Sequence, residues 1–213
     1  MSRSPLIAVV DYGAGNLRSV VKALERSGLD ARVVGDPDAL RRADAVVLPG
    51  VGAFADAVSH LSAKGLDAAV SESIAAGRPY LGLCLGLQLL FEASEEHGET
   101  PGLGLLRGRV ERFPERDAAG LALRVPHIGW NTVRFAGDHP MLKNLPQEDC
   151  YYFVHSYKVV PADPEVTVGV TDYGGEFAAA VARDNLFAVQ FHPEKSQAAG
   201  KKVLDAFAAW VRT

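Results

Sequence analysis

Cysteine is scarce in this chain of 213 residues: Cys84 and Cys150 are the only two. A pair is too few for a disulfide framework, so a reducing compartment, the cytoplasm, is expected. Long apolar runs are missing as well. The opening M-S-R-S-P-L-I-A-V-V-D holds a hydrophobic stretch too short for a signal peptide, and it breaks at Asp11. No later segment is long and apolar enough to span a bilayer. Positive charge is not in excess. Lys and Arg number 22 against 26 Asp and Glu, a net charge of −4, which argues against nucleic acid or an anionic membrane as partner. Metal-ligand spacing is lacking too. The six histidines, at 60, 97, 127, 139, 155 and 192, form no H-x-x-x-H, and the cysteines form no C-x-x-C, so no metal is expected. With no internal repeat, low-complexity tract or linker, and with 48% hydrophobic and 23% charged residues, the chain reads as one domain over residues 1–213.

What is present is an alternation of strand and helix. Leu6 to Val10 is a continuous apolar run, typical of a parallel strand covered on both faces. Leu17, Val20, Val21 and Leu24 fall on one helical face, and Gly28 ends that helix. Ala31 to Val34 and Ala45 to Leu48 read as strands, and Ala53 to Leu61 and Leu66 to Ala76 as helices. Tyr80 to Leu83 is a strand, and Leu85 to Glu92 reads as the start of a helix. Residues 92 to 104 read as a loop. The rhythm then changes to strands with short connections at Gly108 to Phe113, Ala122 to Val125, Thr132 to Phe135, Tyr151 to Val160, Val166 to Tyr173, Phe177 to Ala182 and Leu186 to Phe191. A helix with Ala199, Val203, Phe207 and Trp210 on one stripe closes the chain. The expected fold is α/β: a mostly parallel sheet with helices on both faces and added antiparallel strands in the C-terminal half.

The chemistry gathers at Cys84. It stands between strand and helix in G-L-C-L-G, where such a corner holds its residue in a strained conformation with the side chain outward. Gly82 and Gly86 leave no β-carbon to crowd the turn. A thiol at a helix start faces unpaired N–H groups that favour the thiolate. A cysteine nucleophile needs a base and a group to orient that base. His192 and Glu194, in H-P-E just after a strand, suit those roles, because at i and i+2 in extended backbone both side chains point the same way. The N–H of Leu85 and the glycine-rich turn Pro49-Gly50-Val51-Gly52 are candidate donors for a tetrahedral oxyanion. Gln88 lies one helical turn after Cys84 on the same face. His155-Ser156-Tyr157 offers further polar groups. D-Y-G-A-G-N, residues 11 to 16, contains G-x-G but lacks the third glycine of a dinucleotide fingerprint.

G-L-C-L-G-L-Q at 82 to 88 and Q-F-H-P-E-K-S at 190 to 196 resemble the class I, or triad-type, glutamine amidotransferases. D-Y-G-A-G-N, P-G-V-G-A-F at 49 to 54, P-H-I-G-W-N at 126 to 131 and Y-F-V-H-S-Y at 152 to 157 narrow the likeness within that family, over essentially the whole chain. The resemblance implies a flavodoxin-like three-layer fold and a glutaminase without cofactor. It implies that Cys84 attacks glutamine, His192 moves the proton and Glu194 orients His192. Val51, Gly52 and Leu85 would form the oxyanion site. Gly50, Gln88, His155, Ser156 and Tyr157 would bind glutamine. The implied partner is a cyclase, a (β/α)8 barrel in a heterodimer, that joins the ammonia to its own substrate in histidine biosynthesis. Asn16, Trp130, Asn131, Tyr152 and Lys195 resemble positions of that interface. Val51 stands where many relatives carry a second glycine. A β-branched residue turns its peptide at a steric cost, so its N–H is expected to point away from the site until partner and substrate are bound. Two other readings stay open: a glutaminase serving another synthase, such as pyridoxal phosphate synthase, and a silent flavodoxin-like scaffold in which Cys84 is only core.

Overall fold

In the computed structural model, residues 4–13 and 15–213 are described; residues 1–3 and Ala14, inside the D-Y-G-A-G-N turn, lie outside them. The chain opens with β1 (Leu6–Val10), α1 (Leu17–Arg26), β2 (Asp30–Val34), α2 (Pro37–Arg41) and β3 (Ala45–Gly50). Then come α3 (Phe54–Ala63), α4 (Leu66–Ala75), β4 (Tyr80–Cys84) and α5 (Leu85–Gln88). Next are β5 (Phe91–Ser94), β6 (Thr100–Pro101), β7 (Leu106–Arg112), β8 (His127–Phe135), β9 (Glu148–His155) and β10 (Tyr157–Pro161). The chain ends with β11 (Thr167–Asp172), β12 (Glu176–Arg183), β13 (Leu186–Val189) and α6 (Gln197–Val211).

Nine strands form one sheet in the order β2-β1-β3-β4-β13-β12-β11-β8-β9. Neighbours are parallel from β2 through β13 and antiparallel from β13 to β9. The side-chain period of two sorts each strand between two cores. Ile7 and Val9 join one cluster, with Val20 and Leu24 of α1 and Val203 and Phe207 of α6. Ala8 and Val10 join the other, with Phe54 and Leu61 of α3, Leu66 and Val70 of α4, and Leu85. This is why β1, β3 and β4 read as unbroken apolar runs: both faces are covered. Local signals set the helix ends. Asp36 caps α2 by accepting from Ala39 N at 2.7 Å. Gly28, at φ 75°, ends α1, and its N–H bonds Glu25 O.

The structure departs from the sequence reading where apolar runs are short. The helix after Cys84 is a single turn, and the chain runs on into β5 rather than continuing as helix to Glu92. With β6, β7 and β10 it forms a second sheet in the order β10-β7-β5-β6, so residues 92 to 104 are not one loop. This sheet lends Phe91, Leu106, Val110 and Val159 to the core beneath Leu85. The run Tyr151 to Val160 is two strands, β9 in the large sheet and β10 in the small one. Ala122 to Val125 is no strand; Ala122 alone bridges to Arg116. Among the described residues no helix is long and apolar enough to cross a membrane.

Candidate active site

The site sits at the carboxyl ends of the parallel strands, where open α/β sheets place ligands. Cys84 ends β4, and its backbone is at φ 52° and ψ −103°, a region that L residues seldom occupy. The flanking glycines are required by close approach. A β-carbon on Gly86 would lie 1.8 Å from Leu48 O, and one on Gly82 would lie 2.7 Å from Gly86 O. Tyr80, wholly buried, donates from its hydroxyl to Gly86 O at 2.8 Å and so ties the base of β4 to the turn above it.

His192 follows β13, the strand beside β4. Its N–H bonds Tyr152 O at 3.0 Å, and its carbonyl accepts from Ser196 Oγ at 2.7 Å, so the backbone is held on both sides. Nδ1 donates to Glu194 Oε1 at 2.9 Å, and the two side chains are only 3% and 7% exposed. They meet because residues 193 to 195 form a 3-10 turn, not because the backbone stays extended. Nε2 is buried and lacks a hydrogen bond of regular geometry, yet Cys84 acts on the ring. Burial alone depresses the imidazole; hydrogen-bonding and charge interactions with Cys84 and Glu194 outweigh it and raise the pKa to about 9. Cys84 and Glu194 thus favour the imidazolium that forms when the ring takes the thiol's proton.

These groups open into a cavity of about 390 Å³, ample for a free amino acid. One wall carries Val51, Gly52, Cys84, Leu85 and Gln88; the other carries His155, Ser156 and Tyr157, with His192 and Lys195 completing it. Gly50, expected in substrate binding, lines instead a small crevice shared by Asn16, Val51, Glu194 and Lys195. A β-carbon on Gly50 would lie 2.6 Å from the buried Tyr12 hydroxyl, so glycine is needed there for packing. The ring of His155 offers nothing to a ligand: Nδ1 donates to Tyr157 O at 2.8 Å and Nε2 meets His127 Nδ1 at 3.1 Å. Burial holds His155 down at about 3 and His127 at about 4, so both stay neutral.

Of the expected interface residues, Trp130 is 48% exposed and packs edge-on against Tyr152, with ring centroids 6.1 Å apart. Asn16 and Lys195 are exposed at the crevice. Asn131 turns inward to Asp172 O and His127. Sequence reasoning missed Glu96, which lines the cavity and accepts from Phe54 N at 2.7 Å. It also missed His127 and Gln190, both buried and both bonded into the site. P-H-I-G-W-N and Q-F-H-P-E contain them, but neither carries a local signal of its own.

A family model described as "Glutamine amidotransferase class-I" matches residues 8–209. The chain belongs to the class-I glutamine amidotransferases. An imidazole glycerol phosphate synthase subunit HisH of Moorella thermoacetica is 52% identical over 206 residues, covering 97% of this chain and 95% of that relative. Its namesake from Methylococcus capsulatus is 51% identical over 209 residues, with 96% of each covered. Among solved structures, PurLQS from Thermotoga maritima aligns with a TM-score of 0.76 at 22% identity, over 98% of this chain and 99% of that one. The glutaminase domain of Trypanosoma brucei CTPS gives 0.70 at 20% identity, over 99% and 95%. At such identity these two speak for the amidotransferase fold alone. The α/β architecture read from the sequence is thus the fold of this family, with a larger antiparallel share than the strand pattern suggested.

Proposed function

We propose that this class-I amidotransferase is the glutaminase subunit of an imidazole glycerol phosphate synthase, with residues 1–213 acting as one domain in the cytoplasm. One observation carries the reading. A strained Cys84 and a buried His192, paired from behind by Glu194, line one amino-acid-sized cavity, in a chain half identical to such subunits along its length.

Cys84 passes its proton to His192 and its sulfur attacks the side-chain carbonyl carbon of glutamine. The oxygen's new charge is met by the N–H of Leu85 and by donors of the Val51–Gly52 turn. The imidazolium, held in place by Glu194, gives its proton to the leaving amine. Ammonia departs and a thioester remains. Water, activated by the now neutral His192, cleaves the thioester, releases glutamate and restores the thiol. Gln88, Ser156 and Tyr157 hold the amino acid, and the carboxylate of Glu96 suits its ammonium group. His155 acts behind them, through the Tyr157 carbonyl. Ammonia passes to the partner cyclase, a (β/α)8 barrel docked as a heterodimer against Asn16, Trp130, Asn131, Tyr152 and Lys195. The cyclase uses it to make imidazole glycerol phosphate and an aminoimidazole carboxamide ribotide.

The test is Cys84→Ala in the complex. Glutamine-dependent synthesis should fall by about 10³-fold or more while ammonia-dependent synthesis persists. Loss of both together refutes the division of labour. A Cys84 that resists a glutamine-like diazo-ketone in the wild type refutes the nucleophile itself.

A further inference from the structure

The mechanism above leaves the buried side chain of Gln190 unused. This residue lies just beyond β13, two residues before His192, and is fully buried. Its backbone N–H is fixed to Ala179 O of β12 at 2.8 Å. Its side-chain Nε2 donates to Cys84 Sγ at 3.6 Å, and its Oε1 accepts from Gln88 Nε2 at 3.2 Å.

An amide can be turned end for end, but here each neighbour forbids it. The Tyr157 carbonyl only accepts, and it takes Gln88 Nε2 at 3.0 Å. Gln88 must therefore present N–H groups on this side, so Gln190 must answer with its oxygen, and its NH₂ is left facing the sulfur. The same carbonyl takes Nδ1–H of His155 at 2.8 Å. His155 Nε2 then only accepts, so Nδ1–H of His127 donates to it. His127 Nε2 accepts from Asn131 Nδ2 at 3.3 Å. Asn131 is fixed in turn, because its Oδ1 takes the Thr132 N–H and its Nδ2 also donates to Asp172 O. Two runs of donors thus converge on the Tyr157 carbonyl, one from β8 through the histidines and one from Gln88, which also donates to Gln190 and so orients the last bond to the nucleophile.

We infer that Gln190 is a further catalytic residue of this glutaminase: its amide N–H is a second donor to the Cys84 sulfur, supporting the thiolate and fixing its line of attack. The inference rests on the glutaminase reading above. The thiolate is the strongest acceptor this N–H meets in the cycle, because a charge-assisted bond is roughly twice as strong as a neutral one. When the carbon–sulfur bond forms, the charge moves to the substrate oxygen and the bond relaxes. It is restored when water has released glutamate. His192 exchanges a proton with the sulfur; Gln190 has none to give, and its bond tightens and relaxes with the charge on the sulfur.

The experiment measures the alkylation rate of Cys84 by a glutamine-like diazo-ketone against pH, in the wild-type chain, Gln190→Met and Gln190→Glu. Gln190→Met keeps the bulk and loses the donor. The pH of half-maximal alkylation should rise by about one unit, and kcat for glutamine in the complex should fall about tenfold with KM nearly constant. Gln190→Glu places a carboxylate against the sulfur and should slow alkylation further. Profiles of folded variants that overlay the wild type overturn the inference. Should the variants fail to fold, the side-chain amide resonances of Gln190 decide: in Cys84→Ala they should move upfield, and unmoved resonances overturn it. A wild-type Cys84 that is not alkylated at all defeats the glutaminase reading instead.

Discussion

Replacing Tyr80 with Phe removes one oxygen from the base of the nucleophile turn and changes little else. That hydroxyl donates to Gly86 O at 2.8 Å, in a place with no solvent access. The one-turn helix passes this carbonyl over: Leu89 N bonds Leu85 O, and Leu90 N bonds Leu87 O. In Tyr80→Phe the Gly86 acceptor is stranded away from water, which costs about 1–3 kcal/mol. For a chain of this size each kcal/mol moves Tm by roughly 2–4 °C, so the expected drop is about 2–12 °C. Gly86 follows Leu85, whose N–H is the donor proposed above for the oxyanion. Loss of one such donor costs about 10²–10³ in kcat, and a merely loosened one should cost about tenfold. Calorimetry gives the first quantity and glutamate release by the complex gives the second. A Tm within about 1 °C of wild type together with an unchanged kcat would refute the claim that Tyr80 fixes the turn.

Gly200→Ala forces a β-carbon to within 1.9 Å of Pro193 O, so it should destabilise by about 1–3 kcal/mol and lower kcat by displacing His192 and Glu194; urea titration and steady-state kinetics check both. Val51→Gly frees the oxyanion turn, so glutamine hydrolysis by the chain without its cyclase should rise severalfold; an unchanged rate counts against a restrained peptide at Val51. Stability should peak near neutral pH. His192, raised to about 9, stabilises the fold below its ordinary range, and this is lost as pH climbs through 9. His127 and His155, depressed to about 4 and 3, stabilise above their ordinary range, and this is lost as pH falls toward those values. Thermal melts from pH 3 to 10 test this, and a flat profile rejects it. Histidine NMR should show the His192 midpoint falling in Cys84→Ala, since the thiol helps to raise it.

The turn at Cys84 was legible because two glycines and a cysteine leave few alternatives at a strand–helix corner. The parallel half was legible because strands buried on both faces make unbroken apolar runs. The small sheet was not. Leu87, Leu89, Leu90 and Phe91 keep neither a period of two nor one of 3.6, so one helical turn followed by a strand looks like more helix. Tyr151, Phe153, His155 and Val159 are buried at alternate positions, so the alternation carries across the break at Ser156 and hides it. Gln190 was silent because its partners lie 102 and 106 residues upstream, and a lone Gln after a strand announces neither.

At Ser156 the chain steps from the large sheet to the small one: His155 is the last residue of β9 and Tyr157 the first of β10. The triad belongs wholly to the large sheet and its flanking turns, whereas Tyr157 rides on the small one. The wall facing Cys84 thus draws on both sheets, His155 on the large one and Tyr157 on the small one. Substitutions along β10 would reshape the mouth at Tyr157 while sulfur, imidazole and carboxylate kept their mutual distances. Selectivity in such an architecture is free to drift under evolution, or to answer a docked neighbour, without retuning the bond-breaking apparatus.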